Sequence, residues 1–130
     1  MSYYFSTTLA MPFEEATQRV KQALATEGFG ILTEIDVSQT MKQKLGVEFP
    51  PYRILGACNP ALALEALRLE NKIGTMLPCN VIIHQLASDS TEIAAVDPIA
   101  SMQAIGNPAL EMVATTVQAK LRRVIENMGD

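Results

Sequence analysis

Two periodicities alternate along this chain of 130 residues, and their order restricts the folds open to it. Apolar residues at every second position are typical of strands, and apolar residues at every third or fourth position are typical of helices. The strand pattern occurs at residues 2–9, 31–37, 52–58, 80–87 and 91–97. Because only the polar residues 88–90 separate the last two strands, we expect these strands to form a hairpin.

Helical spacing fills most of the intervals between these strands. It predicts helices over residues 12–28, 38–45, 61–73 and 107–125. Ser38 is the expected cap of the short second helix. Two Asn-Pro pairs, at 59–60 and 107–108, each place a capping Asn before a proline that suits the first helical position. The Asp-Pro pair at 97–98 is expected to shape a turn instead.

The predicted order is β-α-β-(short α)-β-α-β-β-α, which belongs to the α+β class. We expect a mainly antiparallel sheet of about five strands, with two or three long helices packed on one face. A hydrophobic fraction of 48% and a charged fraction of 18% supply enough apolar surface for a core. The length is that of one domain, which we take as residues 1–130.

The helix predicted over residues 61–73 is apolar almost all round. Leucines point in several directions from its axis, and they are Leu62, Leu64, Leu67 and Leu69. A helix on the surface of a monomer normally has one apolar stripe. We therefore expect this helix either to be buried on two sides or to be covered by a partner subunit. The second alternative makes a homodimer the expected state.

The charge balance argues against polyanions as partners. The chain has 10 basic and 14 acidic residues and a net charge of −4, whereas proteins hold nucleic acid by neutralising phosphates with Lys and Arg. We expect no nucleic acid partner. We also expect no membrane partner, because no apolar run reaches the roughly 20 residues of a membrane span. No signal peptide is visible, so we expect a cytoplasmic protein with two reduced cysteines.

Four segments carry a resemblance to a known family. They are GFGILTEIDV at 28–37, ILGACNP at 54–60, GTMLPCNV at 74–81 and VDP at 96–98. In this order they resemble the bacterial and archaeal family catalogued as domain of unknown function 302. The resemblance implies an α+β fold similar to that of the TATA-binding protein, often in a homodimer, and no established activity. The family's recurring positions correspond to Gly30, Glu34, Asp36, Asn59, Pro60, Pro78, Asp97 and Pro98.

Cys58 is the first candidate for chemistry, because it directly precedes the predicted helix start at residues 59–60. A helix N-terminus carries free N–H groups and a partial positive charge, which lower the pKa of a nearby thiol. Alternatively, Cys58 is a small apolar residue that fills the corner between strand and helix, since free cysteines are among the most buried residues. In the family that the chain resembles, Cys58 falls in a Cys-Asn-Pro pattern common to many members.

Cys79 follows Pro78 at the start of the fourth strand and is the second candidate. The separation of the two cysteines excludes a Cys-x-x-Cys redox motif, and two thiols do not supply the four ligands of a structural zinc site. If the third and fourth strands are neighbours, the two sulfurs could bind a soft ion such as Cu(I) or share a zinc across a dimer. They could equally be two buried thiols. In the family, the position of Cys79 is more variable than that of Cys58.

The other polar candidates favour structural roles. His84 is the only histidine, and without a Gly-x-Ser-x-Gly element it does not predict a Ser-His-Asp hydrolase. Glu34 and Asp36 share one strand face about 7 Å apart. Carboxylates so placed bind hard cations, act as acid and base, or face solvent. No glycine-rich phosphate loop precedes a helix.

Three functions are consistent with these residues. We favour a non-catalytic domain that binds a small ligand or a soft metal ion, with the two cysteines as the metal ligands. The residues expected at this site are Cys58, Asn59, Cys79 and Asp97. The second hypothesis is a thiol-dependent enzyme of redox or sulfur transfer, which needs an ionised Cys58. The third is a homodimeric interaction module without a ligand. The sequence indicates no particular cofactor.

Overall fold

The computed structural model describes residues 2–128, so the two ends of the predicted domain, residue 1 and residues 129–130, lie outside the described residues. The described chain forms a five-stranded sheet. Its strands are β1 Tyr4–Leu9, β2 Gly30–Asp36, β3 Tyr52–Cys58, β4 Cys79–Ala87 and β5 Ser90–Val96. Across the sheet the order is β1-β5-β4-β3-β2, and every neighbouring pair is antiparallel. The predicted α+β fold with an antiparallel sheet is confirmed.

Helices connect or follow the strands much as the periodicity predicts. The α-helices of the described chain are α1 Phe13–Thr26, α2 Val37–Leu45, α3 Pro60–Leu69, α4 Pro98–Met102 and α5 Glu111–Met128. Short 3₁₀ helices lie at Asn71–Met76, Gln103–Ile105 and Pro108–Leu110. Within residues 2–128, no helix combines the length and the apolar character needed to cross a bilayer.

Several helix boundaries differ from the sequence prediction. The helix predicted over residues 61–73 is divided, because Glu70 adopts an extended backbone between the end of α3 and the 3₁₀ helix that follows. The Asp-Pro pair at 97–98, predicted to shape a turn, begins α4 instead. The Asp97 carboxylate there accepts a hydrogen bond of 3.0 Å from the Ile99 N–H, which is how a helix cap acts.

Asp36 caps α2, whereas the sequence predicted Ser38. The Asp36 Oδ1 atom accepts hydrogen bonds from the Gln39 N–H at 2.9 Å and from the Ser38 hydroxyl at 2.7 Å. These two bonds, the backbone one first, lower the pKa of the Asp36 carboxyl. Asp and Ser are comparable as caps, so cap preference does not distinguish Asp36 from Ser38. The helix starts after Asp36 because β2 ends at that residue.

Helices α1 and α5 cover one face of the sheet and enclose the core with it. On that face Leu55, Val81 and Ala95 lie side by side across β3, β4 and β5, and all three are fully buried. The helices contribute buried side chains at the predicted spacing, namely Phe13, Ala16, Val20 and Leu24 from α1 and Val113, Val117, Leu121 and Val124 from α5. The amphipathic faces of these two helices therefore supply the core.

The opposite face of the sheet carries a second apolar row. Ile35, Ile54, Ile82 and Ala94 pair directly across β2, β3, β4 and β5. All four side chains are half-buried or exposed, and Ile35 is 48% exposed. This face is much less covered than the face beneath α1 and α5.

Helix α3 is not buried on two sides within the chain. Ala66 is its buried residue. Leu64 is 49% exposed, and Leu67 and Leu69 are each 41% exposed. Burial of this helix on two sides within the chain was one of two expected alternatives, and it is not observed. The other alternative, that a partner subunit covers the helix, stays a prediction.

Candidate functional site

A cavity of about 330 Å³ lies where the end of β3 and the start of β4 meet α3 and α5. Its wall is apolar apart from Cys58, Asn59 and Cys79. The apolar residues that α3 and α5 supply to this wall are Leu62, Ala63, Ala66, Leu67, Val113 and Val117. We call this cavity the thiol pocket.

The pairing of β3 with β4 places the two cysteines at the same end of the sheet, beside the thiol pocket. Cys58 is the last residue of β3, Cys79 is the first residue of β4, and Cys79 lies directly opposite Ala57. Both cysteines line the pocket, and both are free thiols. The strands that carry them are neighbours, which was the condition for any joint role of the two sulfurs.

The two thiols have different environments. Cys58 is half-buried, whereas Cys79 is only 8% exposed. Burial, and to a lesser degree the nearby Cys58, raises the pKa of the Cys79 thiol from its ordinary 9.0 to about 11. Cys79 is therefore protonated at neutral pH. Cys58 is therefore the more solvent-accessible of the two thiols.

Asn59 caps α3 as predicted and also fixes the rim of the thiol pocket. Its Oδ1 atom accepts a hydrogen bond from the Leu62 N–H, and its Nδ2 atom donates one to the Glu27 carbonyl, both at 3.5 Å. The second bond joins α3 to the turn after α1, where Gly28 has a φ of +86°. A Cβ at Gly28 would lie 3.1 Å from the Asn59 Nδ2 atom, so the turn and the rim fit each other closely.

Asp97 has structural contacts away from the thiol pocket. Besides capping α4, its Oδ1 atom accepts a hydrogen bond of 3.0 Å from the Gln118 Nε2 atom on α5. Its own N–H donates to the Tyr3 carbonyl at 2.8 Å. The structure thus brings three of the four expected site residues to one pocket, and it places Asp97 at the junction of the sheet with α4 and α5.

Glu34 and Asp36 share one strand face, as predicted. The register places Glu34 opposite Leu55 and Asp36 opposite Arg53, so both acidic residues lie on the helix-packed side of edge strand β2. Glu34 forms ion pairs with Lys21 at 2.9 Å and with Arg53 at 3.6 Å. Both carboxylates are engaged in contacts that position helices, and neither lines the thiol pocket.

His84 lies on the face of the sheet opposite the thiol pocket. Its ring centroid is 5.2 Å from that of Tyr52, and its Nδ1 atom is buried without a hydrogen-bond partner in the described part of the chain. Among residues 2–128, no three His, Cys, Asp or Glu side chains are grouped as a metal site requires. A metal ion in the thiol pocket would therefore depend on the two sulfurs.

Most of the pocket wall was not predictable from the sequence. Pro78 packs against β3 because Gly56 has no side chain, and a Cβ there would lie 2.6 Å from the Pro78 Cγ atom. Met102, at the end of α4, and Val117, on α5, close other sides of the pocket. Val117 follows the same spacing as the core residues of α5, so periodicity gave no signal that it faces a cavity.

Comparison with known proteins places this fold in a family. Residues 5–128 match the family described as domain of unknown function DUF302. The chain is similar to an uncharacterized conserved DUF302 protein from Bacillus stearothermophilus, whose crystal structure it matches with a TM-score of 0.90. The two are 26% identical, over 98% of this chain and 99% of that chain. No curated protein matches the chain. The chain therefore belongs to the DUF302 family.

Proposed function

We propose that this protein is a non-catalytic domain that binds a small, mostly apolar molecule in the thiol pocket. The composition of the pocket wall carries the proposal, since a space of about 330 Å³ is lined by apolar side chains, two thiols and one amide. Small-molecule sites usually have volumes of roughly 300–1,000 Å³ and mostly apolar walls with few polar groups. The pocket has both properties.

The absence of charge in the wall selects the class of ligand. Across residues 2–128, no Asp, Glu, Lys or Arg side chain lines the thiol pocket. A charged ligand would lose its hydration there without gaining an ion pair. An uncharged molecule is therefore favoured, held by shape and apolar contact, with Cys58 and Asn59 as the polar contacts near the rim.

The state of the thiols favours binding over catalysis. A thiol enzyme requires a thiolate and normally a neighbouring base that creates it. The titratable groups that line the pocket within the described chain are the two cysteines, and the pKa of Cys79 is raised to about 11. A thiol-dependent enzyme acting through Cys58 is the alternative, and it predicts rapid alkylation of Cys58 below pH 7.

A fluorescence titration with N-phenyl-1-naphthylamine tests the binding proposal. This probe is uncharged and apolar, and its emission increases when it leaves water. We expect saturable binding of one probe per chain. Ala63→Phe adds a ring to the pocket wall and should weaken binding at least tenfold, because it fills the space that the probe occupies.

Ala61→Phe is the matched control for this titration. It makes the same change two residues earlier, at an exposed position outside the pocket wall, and it should bind the probe as the unmodified protein does. Circular dichroism would establish that both variants fold. Emission that does not saturate, or equal affinity in the two variants, would contradict the proposal.

The presence of two thiols in one pocket favours a second candidate ligand, a soft metal ion such as Cu(I) held by two sulfurs. Binding would release the thiol protons, and since the pKa of Cys79 is raised, affinity should increase with pH. The proposed cytoplasmic location would keep both thiols reduced. Anaerobic Cu(I) titration should show one ion per chain, lost in Cys58→Ser and in Cys79→Ser. No uptake by the unmodified protein would exclude this ligand.

We also propose that two copies of the chain associate through α3. Leu64 and Leu69 are 49% and 41% exposed, and Leu67, which is 41% exposed, also lines the thiol pocket. Covering these side chains removes apolar surface from water. Sedimentation should show a dimer at micromolar concentration that the double substitution of Leu64 and Leu69 by Gln converts to a monomer. A monomeric unmodified protein would exclude this association.

A further inference from the structure

The face of the sheet opposite the thiol pocket holds a second cavity, of about 410 Å³. Ile82 and Ala94, which pair directly across β4 and β5, form part of its floor. Tyr3, Tyr4 and Tyr52 line it, and these are all three tyrosines of the chain. Glu92 lines it as well. We call this cavity the tyrosine cup.

The sheet register explains how these residues come together. Tyr52, His84 and Glu92 form one row across β3, β4 and β5. Tyr4 pairs with Val96 at the far end of β5, about 13 Å along the strand from Glu92. Between these two rows the surface of the sheet is recessed, because Ala94 has a small side chain. The tyrosines and the carboxylate therefore stand around a depression in the sheet.

The tyrosine rings at the rim are accessible. Tyr3 is 71% exposed and Tyr4 is 42% exposed, and their ring centroids are 5.0 Å apart in an edge-to-face arrangement. The Tyr3 carbonyl accepts the hydrogen bond from the Asp97 N–H, which anchors this segment to the end of β5. The rim thus presents aromatic surface from a backbone that is fixed to the sheet.

Glu92 is a half-buried carboxylate without a cation. In the described chain it forms neither an ion pair nor a side-chain hydrogen bond, whereas Glu27, which is also half-buried, is paired with Arg123 at 2.9 Å. Its cross-strand neighbour His84 has its ring against Tyr52 instead. An unpaired carboxylate on a half-buried residue can be stabilised by an opposite charge, and the cup leaves room for one.

We propose that the tyrosine cup binds a small organic cation, a methylated ammonium with apolar substituents. Aromatic faces attract such cations through their quadrupoles, Glu92 supplies the opposite charge, and Ile82 and Ala94 receive the methyl groups. Burial first, and then the neighbouring Glu92 and Tyr3, raises the pKa of the Tyr52 hydroxyl. The contribution of Glu92 to that shift is consistent with a negative potential in the cup.

Titration with choline, followed by NMR chemical shifts, tests the proposal. The control ligand is 3,3-dimethyl-1-butanol, which has the same shape without the charge. We expect choline to saturate one site, with shifts concentrated at Tyr52, Ile82 and Glu92, and to bind at least tenfold more tightly than the alcohol. Equal affinities, or no saturation by choline at millimolar concentration, would overturn the proposal.

Substitutions separate the two sources of attraction. Tyr52→Leu and Glu92→Gln should each weaken choline binding at least fivefold, whereas Tyr52→Phe should retain it because the ring remains. Tyr4→Leu, at an exposed position, provides the same test if Tyr52→Leu fails to fold. Glu126→Gln removes an exposed carboxylate elsewhere and should leave binding unchanged. Unchanged choline binding in Glu92→Gln would contradict the proposal that the Glu92 carboxylate attracts the cation. None of these substitutions should alter binding of N-phenyl-1-naphthylamine in the thiol pocket.

Discussion

Gly56 occupies a position on β3 where a side chain does not fit. A Cβ there would overlap the Thr33 hydroxyl on β2 and would lie 2.6 Å from the Pro78 Cγ atom. We predict that Gly56→Ala lowers the free energy of unfolding by about 1–3 kcal/mol, the usual cost of overpacking. Urea denaturation measures this loss.

Gly30→Ala is the matched control for that prediction. Gly30 is also on a strand, and a Cβ there meets nothing within 4 Å. Its substitution should change stability by less than about 1 kcal/mol and in the stabilising direction, since glycine is unfavourable in a strand. Losses of equal size in the two variants would contradict the close approach of Pro78 to β3.

Because of Cys79, the free energy of unfolding should depend on pH in the alkaline range. Its pKa is about 11 in the folded protein against an ordinary 9.0, so the unfolded chain loses this proton first. The stabilisation is complete below pH 9 and is lost as the pH rises towards 11. By pH 10 the loss should be about 1 kcal/mol.

Unfolding by urea at pH 8 and pH 10 measures that loss. Cys79→Ala should not show it, because the variant has no thiol to ionise. If both proteins lose the same free energy between the two pH values, Cys79 is not buried as a thiol and the interior wall of the thiol pocket is misassigned.

Individual residues were predictable where their local role is set by their neighbours. The Asn-Pro pair at 59–60 indicated a cap followed by a helix, and the structure has Asn59 in that role. Cys58 and Cys79 were predicted to meet only if β3 and β4 were neighbours. That condition depends on contacts between residues about 20 positions apart, which a local pattern does not encode.

The start of α2 depends on Asp36. Replacing it by Ala leaves the Gln39 N–H without the acceptor that now lies at 2.9 Å. We predict that Asp36→Ala destabilises the protein by about 1 kcal/mol, the typical cost of a lost cap, and that Asp36→Asn retains most of the stability. Thermal unfolding distinguishes them.

The stabilisation that the Asp36 cap provides should depend on pH in the acidic range. The pKa of Asp36 is lowered by the Gln39 N–H and the Ser38 hydroxyl. Its contribution is therefore present above the ordinary carboxyl pKa of 3.8 and is lost as the pH falls below it. A difference between Asp36→Ala and the unmodified protein that persists in full at pH 2 would argue against this cap.

At the scale of elements, long amphipathic segments were predicted well and transitions were not. Helices α1 and α5 follow the predicted spacing because one continuous face packs on the sheet. The helix predicted over 61–73 breaks at Glu70, although its apolar residues continue. Apolar spacing identifies a surface to be buried, and it does not fix where the backbone leaves the helical conformation.

At the scale of the whole molecule, the class of fold followed from the order of periodicities, but the strand order did not. The hairpin of β4 and β5 was visible in its short link, whereas the placement of β1 beside β5 joins the two ends of the sequence pattern. That placement brings Tyr3 and Tyr4 to the tyrosine cup, which lies on the face of the sheet opposite the thiol pocket.

The most direct measurement of the central proposal is a crystal structure of the protein soaked with bromobenzene, an uncharged apolar molecule whose bromine is located by anomalous scattering. We predict bromine density in the thiol pocket, between Cys58 and the side chains of α3, and no such density there in Ala63→Phe crystals. An empty thiol pocket at saturating bromobenzene would contradict the account, as would bromine found only on the open face of the sheet.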